Sequence, residues 1–265
     1  VSMDNSYLTQ ISATELGTLI SSKNLSPVEV TQAYLDRIDR FATNLKAFIT
    51  VCHDSAIESA KSAEQALIKG QNIGALHGLP FAVKDQFETK GLLTTAGSRV
   101  LADYIPNRDA TTVSKSKNAG AILIGKLNLT QFAAGGGDHY PFGEARNPWN
   151  TDYTPGLSSS GSGIAIAASL ASLTLGEDTG GSIRMPASVN GIVGLRPTWG
   201  LVSRYGVIPF CWSMDTAGPM TRTVEDAAML LNVISGYDPM DRYTSKLPTQ
   251  TYHTHLTGNI RGLRG

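Results

Sequence analysis

The 265 residues carry 22 Lys plus Arg against 22 Asp plus Glu, so there is neither a basic excess for nucleic acid nor an acidic disordered block. Hydrophobic residues at 41% and charged residues at 17% suit a globular chain with a sizeable core. Two cysteines, Cys52 and Cys211, exclude a disulfide framework or a cysteine zinc cluster, and no apolar run approaches membrane-spanning length.

Helix signals come first along the chain. Ser12-Ala13-Thr14-Glu15 reads as a capping box, and Leu16, Leu19 and Ile20 follow at helical spacing. Ser26-Pro27-Val28-Glu29 is a second box, with proline at the first helical position. Behind it Val30, Ala33, Tyr34, Ile38 and Phe41 share one face. A third helix is predicted over residues 56–69, stopped by Gly70. Together these form an expected N-terminal helical layer, residues 1–70.

The pattern then changes to strands alternating with helices. Residues 79–85 read as a strand, 111–118 as a helix, and 121–125 as a buried strand because the run is continuously apolar. Residues 135–155 are loop-like. A small-residue helix is predicted over 163–169, a strand over 173–176 and a short strand over 192–195. Thr223 caps a last helix whose apolar face is Val224, Ala227, Ala228, Leu231 and Ile234, ended by Gly236 and Pro239. The tail, 243–257, is polar and irregular. Alternating elements without a linker or repeat predict one α/β domain over residues 1–265, its core at 78–240.

The stretch from Gly176 to Arg184 carries the most chemical information. Its paired glycines let the backbone turn sharply and approach a ligand. N–H groups of Thr179, Gly180, Gly181 and Ser182 can converge on one point and hold an oxyanion, with Ser182 as an exposed nucleophile. Taken alone, Gly-Gly-Ser is also ordinary loop composition. Within this turn, Asp178 is expected to cap the backbone and Arg184 to form an ion pair. A second cluster, residues 155–163, leads straight into the small-residue helix; it reads either as a flexible loop or as an anion-binding turn. No Gly-Lys-Ser/Thr follows it, so a nucleotide loop is poorly supported. Lys84 ends an apolar strand; position alone favours a surface charge, whereas burial would depress its pKa and yield a neutral base. His53, His77, His139, His253 and His255 occupy no recognisable catalytic setting, and neither a Gly-x-Ser-x-Gly elbow nor a His-Glu-x-x-His zinc motif is present. Cys211 and Trp212 are expected in the core.

Several of these segments occur in one order: residues 78–85 around Lys84, 143–149, 155–162, 176–184, 191–198 and 218–226. In that order they resemble the amidase signature family, over about residues 11–239. The resemblance implies a mixed central β-sheet covered by helices on both sides, and a Ser–Ser–Lys triad that hydrolyses or transfers acyl groups from amides. Carried over by motif, Ser182 is the nucleophile, Ser158 the bridging serine after a cis peptide bond, and Lys84 the base. Thr179, Gly180, Gly181 and Ser182 supply the oxyanion hole. Ala133, Ala134 and Gly135 match the loop beside the scissile bond and are candidate substrate contacts. In the serine loop Leu157 and Ser160 replace two glycines of the family pattern. Family members are commonly longer, so the chain is expected to be the N-terminal part of a larger protein.

The implied activity is hydrolysis of a carboxylic amide, or of esters, anilides or carbamates, through an acyl-enzyme and without metal or organic cofactor. Residues 191–224 resemble the amidase subunit of glutamine-dependent tRNA amidotransferases, which is the alternative reading; a non-catalytic binding protein on the same fold is a third. Expected partners are a small-molecule amide and either a second copy or, for an amidotransferase component, other subunits. No direct nucleic-acid contact, no membrane and a cytoplasmic location are expected; the first residues show no charged-then-apolar leader pattern.

Overall fold

The computed structural model describes residues 5–71, 74–134 and 140–262. A short helix α1 (Asn5–Leu8) precedes α2 (Ala13–Ser21), α3 (Pro27–Leu45) and α4 (His53–Ile68). The caps act as their sequences predict. Ser12 Oγ accepts from the Glu15 N–H at 3.1 Å, and at the next helix Ser26 N donates to Glu29 Oε2 at 3.2 Å. Val30, Tyr34 and Ile38 are fully buried one turn apart, which fixes the face of α3 turned to the core.

Among the described residues six strands follow one another across a mixed sheet in the order β1-β3-β2-β4-β6-β5. They are β1 (Phe48–Val51), β2 (Pro80–Lys84), β3 (Ile122–Leu127), β4 (Leu173–Asp178), β5 (Val193–Gly194) and β6 (Thr216–Thr221). Central β2 runs parallel to both neighbours, β3 and β4. Its burial along the whole strand matches its near-continuous apolar sequence. Helices α5 (Thr111–Asn118), α6 (Ser160–Ala167), α7 (Arg184–Asn190) and α8 (Val224–Ile234) complete the packing. Thr223 caps α8, accepting from Asp226 N at 3.1 Å.

Three differences from expectation bear on the site. Strand β4 reaches Asp178 rather than stopping at Gly176, so Glu177 and Asp178 belong to a fully buried strand and not to the turn after it. Helix α6 starts at Ser160, inside the Gly/Ser cluster. A side chain at Gly161 would collide with the Ala47 carbonyl and the Asn128 backbone, so close packing replaces helix propensity there. Strand β6 was concealed by Gly218 and Pro219. The Pro219 carbonyl accepts from Leu195 N at 3.0 Å, so its nitrogen faces that side, beyond β5, and the ladder to β4 loses no donor.

Candidate active site

Two segments far apart in sequence meet at the C-terminal ends of β2 and β4. Lys84 closes β2, and its side chain is 0% exposed. The apolar strand delivers this amine into the interior, where the surface-charge reading does not hold. Lys84 Nζ lies 2.7 Å from Ser158 Oγ, 3.1 Å from Glu177 Oε2 and 3.3 Å from the Glu177 carbonyl oxygen. Burial drives the Lys84 pKa below the ordinary lysine value, against the opposing pull of Glu177, Asp215 and Asp178.

Ser158 follows a cis peptide bond from Leu157. The next residue stitches the loop to β4. Ser159 Oγ donates to the Glu177 carbonyl at 3.0 Å and accepts from Glu177 N at 3.2 Å. Ser159 N donates to the Ser182 carbonyl at 3.2 Å, which joins the serine loop to the glycine turn. The buried loop is therefore a fixed wall of the site and not a flexible linker.

The turn after β4 is organised by Asp178. Its carboxylate accepts from Gly181 N at 2.8 Å and Ile183 N at 3.1 Å, and pairs with Arg184 Nε at 3.0 Å and Arg196 Nε at 3.3 Å. These donors hold the Asp178 carboxyl below its usual range although burial opposes them. Asp178 thus caps the turn and Arg184 makes a structural ion pair, as expected. Gly181 adopts φ +134°, a region that favours glycine, and a side chain on Gly180 or Gly181 would meet nothing within 4 Å. The turn faces open space.

Of the four N–H groups expected to hold an oxyanion, that of Gly181 is already donated to Asp178. Those of Thr179, Gly180 and Ser182 make no hydrogen bond among the described residues. Ser182 is half-buried, and its hydroxyl likewise has no hydrogen-bond partner among them. Lys84 and Ser158 are thus in direct contact, and Ser182 joins them through the Ser159 amide.

Ala133 is buried at the end of the 3-10 turn Gln131–Ala133 and Ala134, the residue after it, is exposed; Gly135 and His139 lie outside the described residues. His77 is buried, with Nε2 3.0 Å from the Ala63 carbonyl oxygen, a structural role. Trp212 corrects the core expectation: it is 59% exposed, lying over the Arg204 guanidinium, while Cys211 is half-buried. The described residues contain no cluster of His, Cys, Asp and Glu arranged around a metal position.

Glu177, Ser159 and Asp215 were not anticipated. The one signal for Glu177 is an acid one glycine beyond the run 171–175.

A mixed sheet presenting a buried lysine–serine contact beside an open glycine turn is the arrangement that the amidase signature resemblance implies. The family model for amidases matches residues 29–264, and the chain belongs to the amidase signature family. It is 48% identical to a glutamyl-tRNA(Gln) amidotransferase subunit of Geobacter metallireducens over 94% of this chain and 52% of that protein. Among solved structures, native peptide amidase from Stenotrophomonas maltophilia superposes with TM-score 0.86 at 40% identity, covering 92% of this chain and 52% of that one. A protein from a vestigial complex, described as revealing the origins of an s-triazine catabolic enzyme, gives TM-score 0.93 at 37% identity over 96% and 56%. The chain spans about half the length of the curated relatives it matches. Among the described residues no helix is long and apolar enough to cross a membrane.

Proposed function

We propose that the protein containing this chain cleaves a carboxylic amide C–N bond through an acyl-enzyme on Ser182, with Ser158 and Lys84 as the proton relay. The observation that carries this reading is the buried 2.7 Å contact between Lys84 Nζ and Ser158 Oγ. An uncharged amine there accepts the Ser158 proton while Ser158 takes the proton of Ser182. Substrate binding turns the free Ser182 hydroxyl toward Ser158, a contact that commonly tightens only in the complex.

The Ser182 oxygen forms a bond to the carbonyl carbon, and the carbonyl π electrons move onto oxygen. The N–H groups of Thr179, Gly180 and Ser182 receive that oxyanion. Each such donor supports about 3–4 kcal/mol of transition-state stabilisation. Collapse breaks the C–N bond, and the departing nitrogen takes the proton back through Ser158. Water then repeats the addition and releases the acid. Ala133 and Ala134 remain the candidate substrate contacts; Gly135, the third, lies outside the described residues.

The amidotransferase reading keeps the same chemistry and adds partner subunits that consume the ammonia. The relatives named as glutamyl-tRNA(Gln) amidotransferase subunits support it. One experiment separates the readings. The full-length protein, purified alone, is given small amides, anilides, carbamates and glutamine, and ammonia or amine release is measured. Turnover by the lone protein supports the hydrolase; turnover only with other subunits supports the amidotransferase. No turnover in either state contradicts both.

A further inference from the structure

A buried chain of side chains extends from Lys84 away from the reacting serines. Glu177 Oε2 faces Lys84 Nζ, and its other oxygen, Oε1, lies 2.6 Å from Thr179 Oγ1. Thr179 Oγ1 also lies 2.6 Å from Asp215 Oδ1. The antiparallel register pairs Asp178 with Thr216, which sets the residue after one beside the residue before the other. Glu177 is 1% exposed, Asp215 3% and Thr179 8%.

Hydrogen counting decides where the protons are. A hydroxyl carries one hydrogen and cannot donate to two carboxylates at once. One of the two short contacts at Thr179 therefore needs a hydrogen supplied by a carboxylic acid. Asp215 is filled by backbone donors: Phe210 N to Oδ2 at 2.9 Å, and Cys211 N at 2.8 Å from Oδ1. Both Asp215 oxygens therefore already accept from N–H groups. Thr179 thus donates to Asp215, and the extra hydrogen sits on Glu177 Oε1.

The same count works at the lysine. A neutral amine has two N–H bonds and one lone pair. The two N–H bonds are taken by the Glu177 carbonyl and Glu177 Oε2. The lone pair is left for Ser158 O–H.

We propose that Glu177 is a positioning residue for the acyl-transfer site, held as a neutral acid that donates to Thr179 and aims the Lys84 lone pair at Ser158. This inference rests on the proposed function. Relative to an ion pair, one N–H bond on Lys84 is replaced by one O–H bond on Glu177, and the net charge of the chain is unchanged. The interior then avoids two buried unlike charges, whose desolvation is costly. The charged groups around this chain are Asp215 before β6, Asp178 at the end of β4, and Arg184 and Arg196, which already neutralise Asp178.

The test uses the full-length protein and compares wild type with Glu177→Gln and Glu177→Ala. Infrared spectra at neutral pH are expected to contain a buried carboxylic-acid C=O band that Glu177→Gln lacks. Identical bands in the two proteins overturn the proposal, whatever the enzyme's turnover. In the second arm, a fluorophosphonate probe reports the rate of Ser182 labelling. Glu177→Ala is expected to label about 100-fold more slowly, since the amine loses its alignment. Glu177→Gln is expected to recover most of that loss, within about tenfold of wild type and with the same acid limb, because an amide replaces a neutral acid. An acid limb moved to lower pH in Glu177→Gln contradicts a neutral Glu177. Absence of labelling in wild type counts against Ser182 as nucleophile, while the infrared arm still decides where the proton lies.

Discussion

Two lysines are buried one strand apart in the same sheet, and their neighbours differ. Lys84 ends β2 and Lys126 lies on β3, where the register pairs it with Val83. Both are 0% exposed, and burial lowers the pKa of both against a facing acid. Lys126 Nζ lies 2.9 Å from Asp85 Oδ1, 2.7 Å from Thr94 Oγ1 and 3.4 Å from the Leu93 carbonyl oxygen. Thr94 gives its own hydrogen to the Leu92 carbonyl at 3.3 Å. Every direction around Lys126 therefore accepts, and an ammonium fits. At Lys84 the third direction is Ser158, whose hydroxyl meets no other acceptor among the described residues. Depth of burial does not separate the proposed base from a structural cation here; the hydrogen inventory of the neighbours does.

The sharpest way to break this contrast is to remove each amine in turn. Lys84→Ala is expected to lower amide turnover about 10³-fold while the protein stays folded, since Glu177 is left as a neutral group. Turnover at the wild-type rate, with a circular-dichroism melt to confirm folding, removes Lys84 from the chemistry. Lys126→Met leaves the Asp85 carboxylate buried and unpaired, and is expected to cost about 3–5 kcal/mol of stability in urea titrations. A loss of turnover without any loss of stability would assign Lys126 the role given to Lys84.

The difference is sharpened by pH. Between its depressed value and the ordinary 10.5, Lys84 binds more protons in the unfolded chain than in the folded one. The hydrogen held by Glu177 in the folded chain offsets this difference one for one, so the pair is expected to leave stability flat through that window. Turnover falls on the acid side as Lys84 gains a proton, and Lys84→Ala lacks that limb in whatever residual activity it retains. The smallest effect is expected from Thr94→Val, about 2 kcal/mol for one hydrogen bond from the ammonium, with the acid limb in place. A moved limb would tie Lys126 to the reaction.

Much of this contrast was hidden in the sequence. Lys84, Ser158 and Ser182 were legible because each sits in a local motif, and the ends of α2, α3 and α8 were legible from their caps. Position alone favoured Lys84 as a surface charge, and only its motif resemblance pointed inward. Glu177 was concealed because an acid after an apolar run reads as the start of a loop. Asp215 and Thr179 meet only through the register of β4 with β6, a strand whose Gly218 and Pro219 mask it. Partnerships set by strand register leave no local trace, and those are the ones that decide proton positions here.

The most direct measurement is peptide mass spectrometry of the full-length protein after treatment with a fluorophosphonate. The account predicts a single adduct on the Ser182 hydroxyl, formed far more slowly in Lys84→Ala and in Ser158→Ala. An adduct on another serine, or labelling of Ser182 that proceeds equally fast without Lys84, contradicts it.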